Sequence, residues 1–235
     1  MPDDAVLDGL DPYDLMEAEA ARLDAYFSGL DAGGWGRPSA CTDWTTQDML
    51  AHLAGSEEYN HACLDDALPG FMESLGKRGV GDMDAFNAVG VADRAGRSSD
   101  EVLAEWRETC GRTTRELRAR DGGEIPTMVG PYPARWQAFH LASELATHAD
   151  DVGVPVTPAE AAARADWRRR FAVFVLGEMK PEVEVTPADG GTKVRAGEEE
   201  AVLSDDELIA VTNGRLPADD PLPGGLRRAL NVVGS

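Results

Sequence analysis

The strongest constraint on the fold is a set of four long segments in which apolar residues recur every three or four positions. This spacing places the apolar side chains on one face of an α-helix. The segments cover about residues 13–30, 45–68, 98–121 and 134–151, and glycine or proline lies near the end of each. Four helices that each carry an apolar face predict a four-helix bundle.

Two stretches between the predicted helices lack this period. Residues 70–97 contain many glycines, and we expect an irregular segment, either a functional loop or one that carries a short helix. Pro126, Pro131 and Pro133 precede the fourth helix and predict a stiff linker.

The pattern changes again in the last third of the chain. A helix is predicted to begin at Thr157, and alternating valines on both sides of Asp189–Gly191 predict a hairpin. Short helices are predicted at residues 204–211 and 223–230. We therefore predict an α+β protein whose domains are a four-helix bundle at 1–155 and a smaller α+β domain at 156–235.

The charge of the chain argues against two classes of partner. There are 22 basic and 43 acidic residues, so the formal net charge is −21. Nucleic acids and anionic lipids are both bound through clustered Lys and Arg, so we expect neither as a partner. The first residues lack a signal-peptide pattern, and the three cysteines form no CxxC pair. We expect a cytoplasmic monomer or homodimer.

The histidines indicate a candidate metal site. Glu144 and His148 are four residues apart on the fourth helix and project from one face, and Asp151 is placed to orient the His148 ring. His52 lies on the second helix, and facing helices of a bundle commonly supply ligands to one ion. His52, Glu144 and His148 would form a two-histidine, one-carboxylate set with an open position, as in catalytic zinc sites. His61 falls on the opposite face of its helix from His52 and is excluded.

Structural explanations exist for each of these residues taken alone. A histidine on an apolar helix face is more often a hydrogen-bonded core residue than a ligand, and Glu144 with His148 could be a surface pair. His140, one turn before Glu144, is either a proton shuttle or a histidine packed beside Trp136.

Three motifs resemble those of the mycothiol-dependent maleylpyruvate isomerase family within the DinB-like superfamily. The segment Trp44–Gly55 reads WTTQDMLAHLAG and is similar to the family signature around its metal-binding histidine. Asp84–Ala88 followed by Arg94–Ser98 resembles the segment before the third helix. The spacing from Glu144 through His148 to Asp151 matches the E-x-x-x-H-x-x-D segment. The resemblance covers nearly the whole chain.

This resemblance implies a DinB-like bundle, a sterol-carrier-like C-terminal domain and metal ligands at His52, Glu144 and His148. It also implies mycothiol as a thiol cosubstrate. Asn213–Arg215 resembles an element whose arginine assists the substrate, although Arg215 could equally be a solvated loop residue. Zinc is the expected metal, and the expected catalytic residues are His140 and Arg215.

The expected activity is transfer of the thiol sulfur to a small electrophilic substrate, or cis–trans isomerisation of that substrate. Two alternatives remain open. The first is a metal-dependent lyase, cyclase or hydrolase of secondary metabolism that uses no thiol. The second is a non-catalytic metal-binding protein, which a fourth protein ligand closing the site would favour.

Overall fold

The computed structural model describes residues 3–233, which form two compact units. One unit comprises Asp11–Val154, and the other comprises Pro155–Ser235 together with the first ten residues of the chain. A helical N-terminal region followed by a small antiparallel sheet region confirms the predicted α+β class. The limits predicted for the domains, residues 1–155 and 156–235, stay a prediction.

The Asp11–Val154 unit contains seven helices and one hairpin. The helices are α1 (Pro12–Ser28), α2 (Ala32–Trp35), α3 (Thr46–Leu64), α4 (Leu68–Lys77), α5 (Met83–Ala92), α6 (Ser99–Ala119) and α7 (Ala134–Asp151). The strands β1 (Glu124–Thr127) and β2 (Gly130–Pro133) lie between α6 and α7 and pair antiparallel. The four long helices of this unit, α1, α3, α6 and α7, correspond to the four that the apolar spacing predicts.

The long helices enclose an apolar interior. Helix α1 packs against α6 and α7, and α6 also packs against α3. The largest fully buried side chains of this unit are aromatic, methionine and leucine residues: Tyr13, Met16, Leu23, Phe27, Met49, Leu50, Trp106, Leu117 and Phe139. Removing this much apolar surface from water stabilises the packed helices more than their intrinsic propensities do.

Helix α3 begins at a capping box. The Thr45 hydroxyl accepts from the Asp48 N–H at 3.2 Å, and Asp48 Oδ2 accepts from the Thr45 N–H at 2.9 Å. These bonds satisfy N–H groups that the first turn of a helix leaves unpaired. The N-cap of α3 is therefore fixed seven residues before His52.

Both stretches predicted to be irregular contain regular structure, and for residues 70–97 a short helix was one of the two expectations. Helix α3 ends at Leu64 rather than near residue 68, and residues 70–97 contain most of α4 and all of α5. Pro69 lies in the first turn of α4, where the missing N–H of proline removes no helical hydrogen bond. The stiff linker predicted from three prolines is the β1–β2 hairpin, and a two-stranded sheet tolerates proline because both of its strands are edges.

A close approach between α3 and α5 depends on glycine. A Cβ atom added to Gly55 would lie 2.9 Å from the Gly90 Cα atom. Glycine costs up to about 1 kcal/mol relative to alanine inside a helix, but here it allows two backbones to meet. Gly55, which weakens the sequence pattern of the second helix, is therefore a packing position.

The second unit packs one long helix with a small sheet. Its helices are α8 (Pro158–Met179), α9 (Asp205–Thr212) and α10 (Gly224–Leu230), and a short 3₁₀ helix covers Asp4–Leu7. The strands β3 (Glu184–Ala188), β4 (Gly191–Ala196) and β5 (Glu199–Leu203) form one antiparallel sheet in the order β3-β4-β5. Its core includes Leu176, Val194, Leu208, Leu226 and Leu230.

The third strand of this sheet is absent from the sequence prediction, which gave a two-stranded hairpin. Strand β5 begins in the acidic run Glu198–Glu200, and such a run is typical of a solvated loop. In the sheet, Glu200 pairs across the strands with Lys193 at 2.9 Å, so the charge is stabilised at the surface. No helix within residues 3–233 has the length and apolar character needed to cross a membrane.

Candidate metal centre

The structure brings His52, Glu144 and His148 together inside the helical unit. His52 lies on α3, and the other two lie one turn apart on α7. Each offers a ligand atom, and the three atoms lie within 4.8 Å of one another. His52 Nε2 is 3.1 Å from His148 Nε2 and 3.6 Å from Glu144 Oε1.

This arrangement fits the ligand set of a divalent ion such as zinc. Two ligands of a tetrahedral zinc ion, each about 2.1 Å from the metal, are about 3.4 Å apart, which lies between the two measured separations. The side chain of Glu144 is one-third exposed, whereas those of His52 and His148 are 7% and 13% exposed. Solvent therefore reaches the set from the Glu144 side, where an external ligand could enter.

The electrostatics around His52 favour its neutral form. Burial, assisted by the neighbouring His148 ring, lowers the pKa of His52 to about 3, and Asp151 opposes this shift. A histidine must be neutral to donate a nitrogen lone pair to a metal. Trp44 packs against the His52 ring at a centroid distance of 5.1 Å and supplies part of the apolar surroundings.

A second layer of side chains orients His148. Asp151 Oδ2 lies 2.9 Å from His148 Nδ1, the contact that their spacing of three residues predicts. The Cys41 thiol donates to the same Asp151 oxygen at 3.4 Å, and the Ala40 N–H donates to the Asp151 carbonyl at 2.8 Å. Because Asp151 accepts at Nδ1–H, His148 presents Nε2 toward His52 and Glu144.

Replacing Asp151 with asparagine is expected to lower zinc affinity by about 10- to 100-fold, because the neutral amide supports the His148 ring less strongly than a carboxylate does. Competition with a zinc-binding dye measures the affinity. Asp150→Asn removes an exposed neighbouring carboxylate and should leave the affinity unchanged. Equal affinities for the wild-type protein and Asp151→Asn would contradict this role for Asp151.

The other predicted residues occupy different places. His140 Nε2 lies 3.0 Å from the Tyr132 hydroxyl, one helical turn before Glu144 on α7. Arg215 belongs to the other compact unit, where its Nη1 donates to the Asn213 carbonyl at 3.3 Å. His61 Nε2 lies 3.2 Å from the Thr109 carbonyl and is outside the His52 set.

Two residues near the set were not found from the sequence. Cys41 forms a second possible metal-ligating group with His148 and Asp151, although it precedes His148 by more than a hundred residues. Glu57 is a buried carboxyl on α3 whose hydroxyl and amide partners are Thr113 and Asn60. Glu57 follows Leu50 by seven residues and Leu53 by four, on a buried face of α3, and this spacing is the sequence signal that could have indicated Glu57.

The fold and site together define a two-part helical protein with a candidate divalent-metal centre in its helical part. Residues 16–153 match the family model described as the mycothiol maleylpyruvate isomerase N-terminal domain. This match covers more than half of the chain, and the chain belongs to that family.

The chain is also similar to other proteins in sequence or in fold. The chain is 28% identical over 183 residues to an uncharacterised protein found in two strains of Mycobacterium tuberculosis, which covers 72% of this chain and 68% of the relative. The fold of this chain resembles the crystal structure of the mycothiol-dependent maleylpyruvate isomerase. The TM-score is 0.64 at 15% identity, over 88% of this chain and 89% of that one. A histidine-to-alanine mutant of that isomerase gives a TM-score of 0.62 at 15% identity, over 87% and 88% of the two chains.

Proposed function

We propose that the chain is a zinc-dependent enzyme that uses mycothiol to transfer sulfur to, or to isomerise, a small electrophilic substrate. His52, Glu144 and His148 hold the metal in this proposal. The observation that carries it is the convergence of these three ligand atoms within 4.8 Å in a member of the mycothiol maleylpyruvate isomerase family. Zinc, the thiol and the reaction are each part of the proposal.

When a divalent ion is bound, its three protein ligands leave it with a net positive charge that can attract the thiol. Two neutral imidazoles and one carboxylate contribute a single negative charge, so a bound divalent ion retains one positive charge. A zinc ion in this position lowers the pKa of a coordinated thiol and favours the thiolate at neutral pH. The exposed side of Glu144 provides the direction from which the thiol approaches.

The thiolate then adds to an electrophilic carbon of the substrate. For isomerisation, the sulfur–carbon bond forms as the double-bond electrons move onto a conjugated carbonyl oxygen, and the resulting single bond rotates. Reversal of these electron movements expels the thiolate and restores the double bond. His140, hydrogen-bonded to Tyr132, is assigned proton transfer to the substrate oxygen, and Arg215 is assigned binding of an anionic substrate group.

The remaining assignments complete the proposal. The partners are a small-molecule substrate and a low-molecular-weight thiol, with neither nucleic acid nor membrane. The enzyme acts in the cytoplasm as a monomer or homodimer, and its domains are a bundle at residues 1–155 and an α+β domain at 156–235. The formal charge of −21 supports the exclusion of polyanionic partners.

Cobalt substitution provides a direct test. The metal-free protein is titrated with Co²⁺ and then with mycothiol. We expect one bound ion, followed by an absorption band from thiolate-to-cobalt charge transfer when mycothiol is added. Failure to bind a stoichiometric metal ion, or binding of metal without that band, would overturn the thiol-dependent function.

A further inference from the structure

A small cavity lies at the centre of the helical unit, beside the proposed metal ligands. The polar residues that line it are Ser56, Glu57 and Asn60 on α3, Trp106 on α6 and Glu144 on α7. Methionine and leucine side chains close the remainder. The space available to the centre of a water molecule is about 10 Å³, enough for about one water.

Glu57 is an unusual group to find in this wall. Its side chain is buried, and its Oε2 accepts hydrogen bonds from Thr113 Oγ1 and, at 3.2 Å, from Asn60 Nδ2. Burial raises the pKa of Glu57 to about 7 against the effect of these donors, and the negative charge of Glu144 raises it further. Burial raises the pKa of the Cys110 thiol on α6, and the negative charge of Glu57 in turn raises it further. A carboxyl with this pKa can exchange a proton near neutral pH.

Trp106 supplies an independent indication that the cavity binds a polar molecule. Its side chain is 1% exposed, and no hydrogen-bond partner for its indole Nε1–H is found in the part of the chain that the structure describes. A buried N–H group without a partner is destabilising, because it has lost its hydrogen bonds to water. A water in the adjoining cavity would remove this cost.

We propose that the cavity holds one water molecule that accepts the Trp106 Nε1–H and links Glu57 to Glu144, so that Glu57 accepts the proton lost by the thiol. Among the described residues 3–233, the carboxyl groups of Glu57 and Glu144 form no direct hydrogen bond with each other. A bridging molecule is therefore needed to connect them. This inference rests on the proposed thiol function and adds Glu57 as its proton acceptor.

The proton transfer is balanced without any further reactant. His52, Glu144 and His148 would hold the metal, and a thiol bound there would lose its S–H proton. That proton would pass through the Glu144 carboxyl to the cavity water, while a proton of that water would pass to the Glu57 carboxylate. A divalent ion beside Glu144 favours ionised Glu57, and the arriving thiolate cancels part of that charge. Glu57 therefore becomes protonated when the thiol binds and returns the proton when the thiol leaves.

A purely structural role for Glu57 makes a different prediction. Its bond to Thr113 connects α3 with α6, and Glu57→Gln retains a group of the same shape that can still accept a hydrogen bond. The variant thus preserves the helix contact and removes only the exchangeable proton. Trp106→Phe retains a ring and removes the indole N–H.

Calorimetry in buffers of different ionisation enthalpy counts the protons released when mycothiol binds the zinc-loaded protein. At about pH 6.5, where the free thiol is protonated, we expect Glu57→Gln to release roughly half a proton more than the wild type. Trp106→Phe should also release more protons than the wild type when mycothiol binds. Equal release by the wild type and Glu57→Gln would overturn the role of Glu57, whereas failure of the wild type to bind thiol would overturn the proposed function itself.

Infrared spectroscopy of the metal-free protein separates these two failures, because it requires no thiol. The carbonyl stretch of a protonated carboxylic acid should be present in the wild type below pH 7, disappear in Glu57→Gln, and shift in Trp106→Phe as the bridging water is lost. A spectrum that does not change in Glu57→Gln would show that Glu57 carries no exchangeable proton and would overturn the inference.

Discussion

Zinc affinity is expected to fall at least about 100-fold when His52 is replaced by alanine, which is more than the loss typical of supporting residues around a metal. His52 is the one member of the set contributed by α3, and both of its measured contacts within the set are made by Nε2. Its removal leaves two ligands on α7, which cannot enclose an ion. Competition with a zinc-binding dye gives the affinity, and circular dichroism shows whether the helices are retained.

His61→Ala is the matched control, because it removes a histidine from the same helix. His61 Nε2 contacts the Thr109 carbonyl and is absent from the candidate set. This variant should bind zinc as tightly as the wild type. If both variants lost zinc equally, the loss would reflect damage to α3 rather than removal of a ligand, and if neither did, the metal would lie elsewhere.

The long helices and the grouping of His52, Glu144 and His148 were accessible from the sequence because both depend on helical periodicity. The spacing of Glu144 and His148 fixes their relative direction on one helix. The link to His52 required only that the second and fourth helices face one another. These features are local, or follow from a single assumption about packing.

The β1–β2 hairpin and strand β5 were missed because tertiary pairing overrides local preference. The prolines of β1 and β2 are typical of a linker, and the acidic start of β5 is typical of a loop. Strand β5 becomes a strand because β4 supplies hydrogen-bonding partners along one edge and Lys193 pairs with Glu200. The residues of β5 do not by themselves indicate that a neighbouring strand will pair with them.

The surroundings of the metal set were inaccessible for a related reason. Cys41, Glu57 and Trp106 lie on different elements, and only the folded chain brings them near His148 or Glu144. Helical spacing identifies the candidate ligands themselves. The buried groups that orient a ligand or exchange its protons depend on how whole helices pack.

Replacing Arg94 with methionine is expected to lower the free energy of unfolding by about 2–4 kcal/mol, measured by urea denaturation. The Arg94 side chain is 4% exposed, and its Nη2 lies 3.0 Å from Glu58 Oε1 and 2.5 Å from Glu105 Oε1. It also donates to two helix carbonyls, Gly90 O at 3.0 Å and Ala54 O at 3.2 Å. One guanidinium thus connects α3, α5 and α6.

Methionine keeps the length and apolar stem of Arg94 but leaves these acceptors without their donor. Glu58 and Glu105 are 47% and 24% exposed, so water can solvate their charge in part, and the loss should stay near the lower end of what a fully buried pair costs. Arg107→Met is the control, because Arg107 pairs with Asp24 at the surface, where such contacts contribute little. An equal loss of stability in both variants would show that the buried position of Arg94 is not what makes it important. A selective loss would identify this arginine as the residue that secures the closely packed α3–α5 contact next to Gly55.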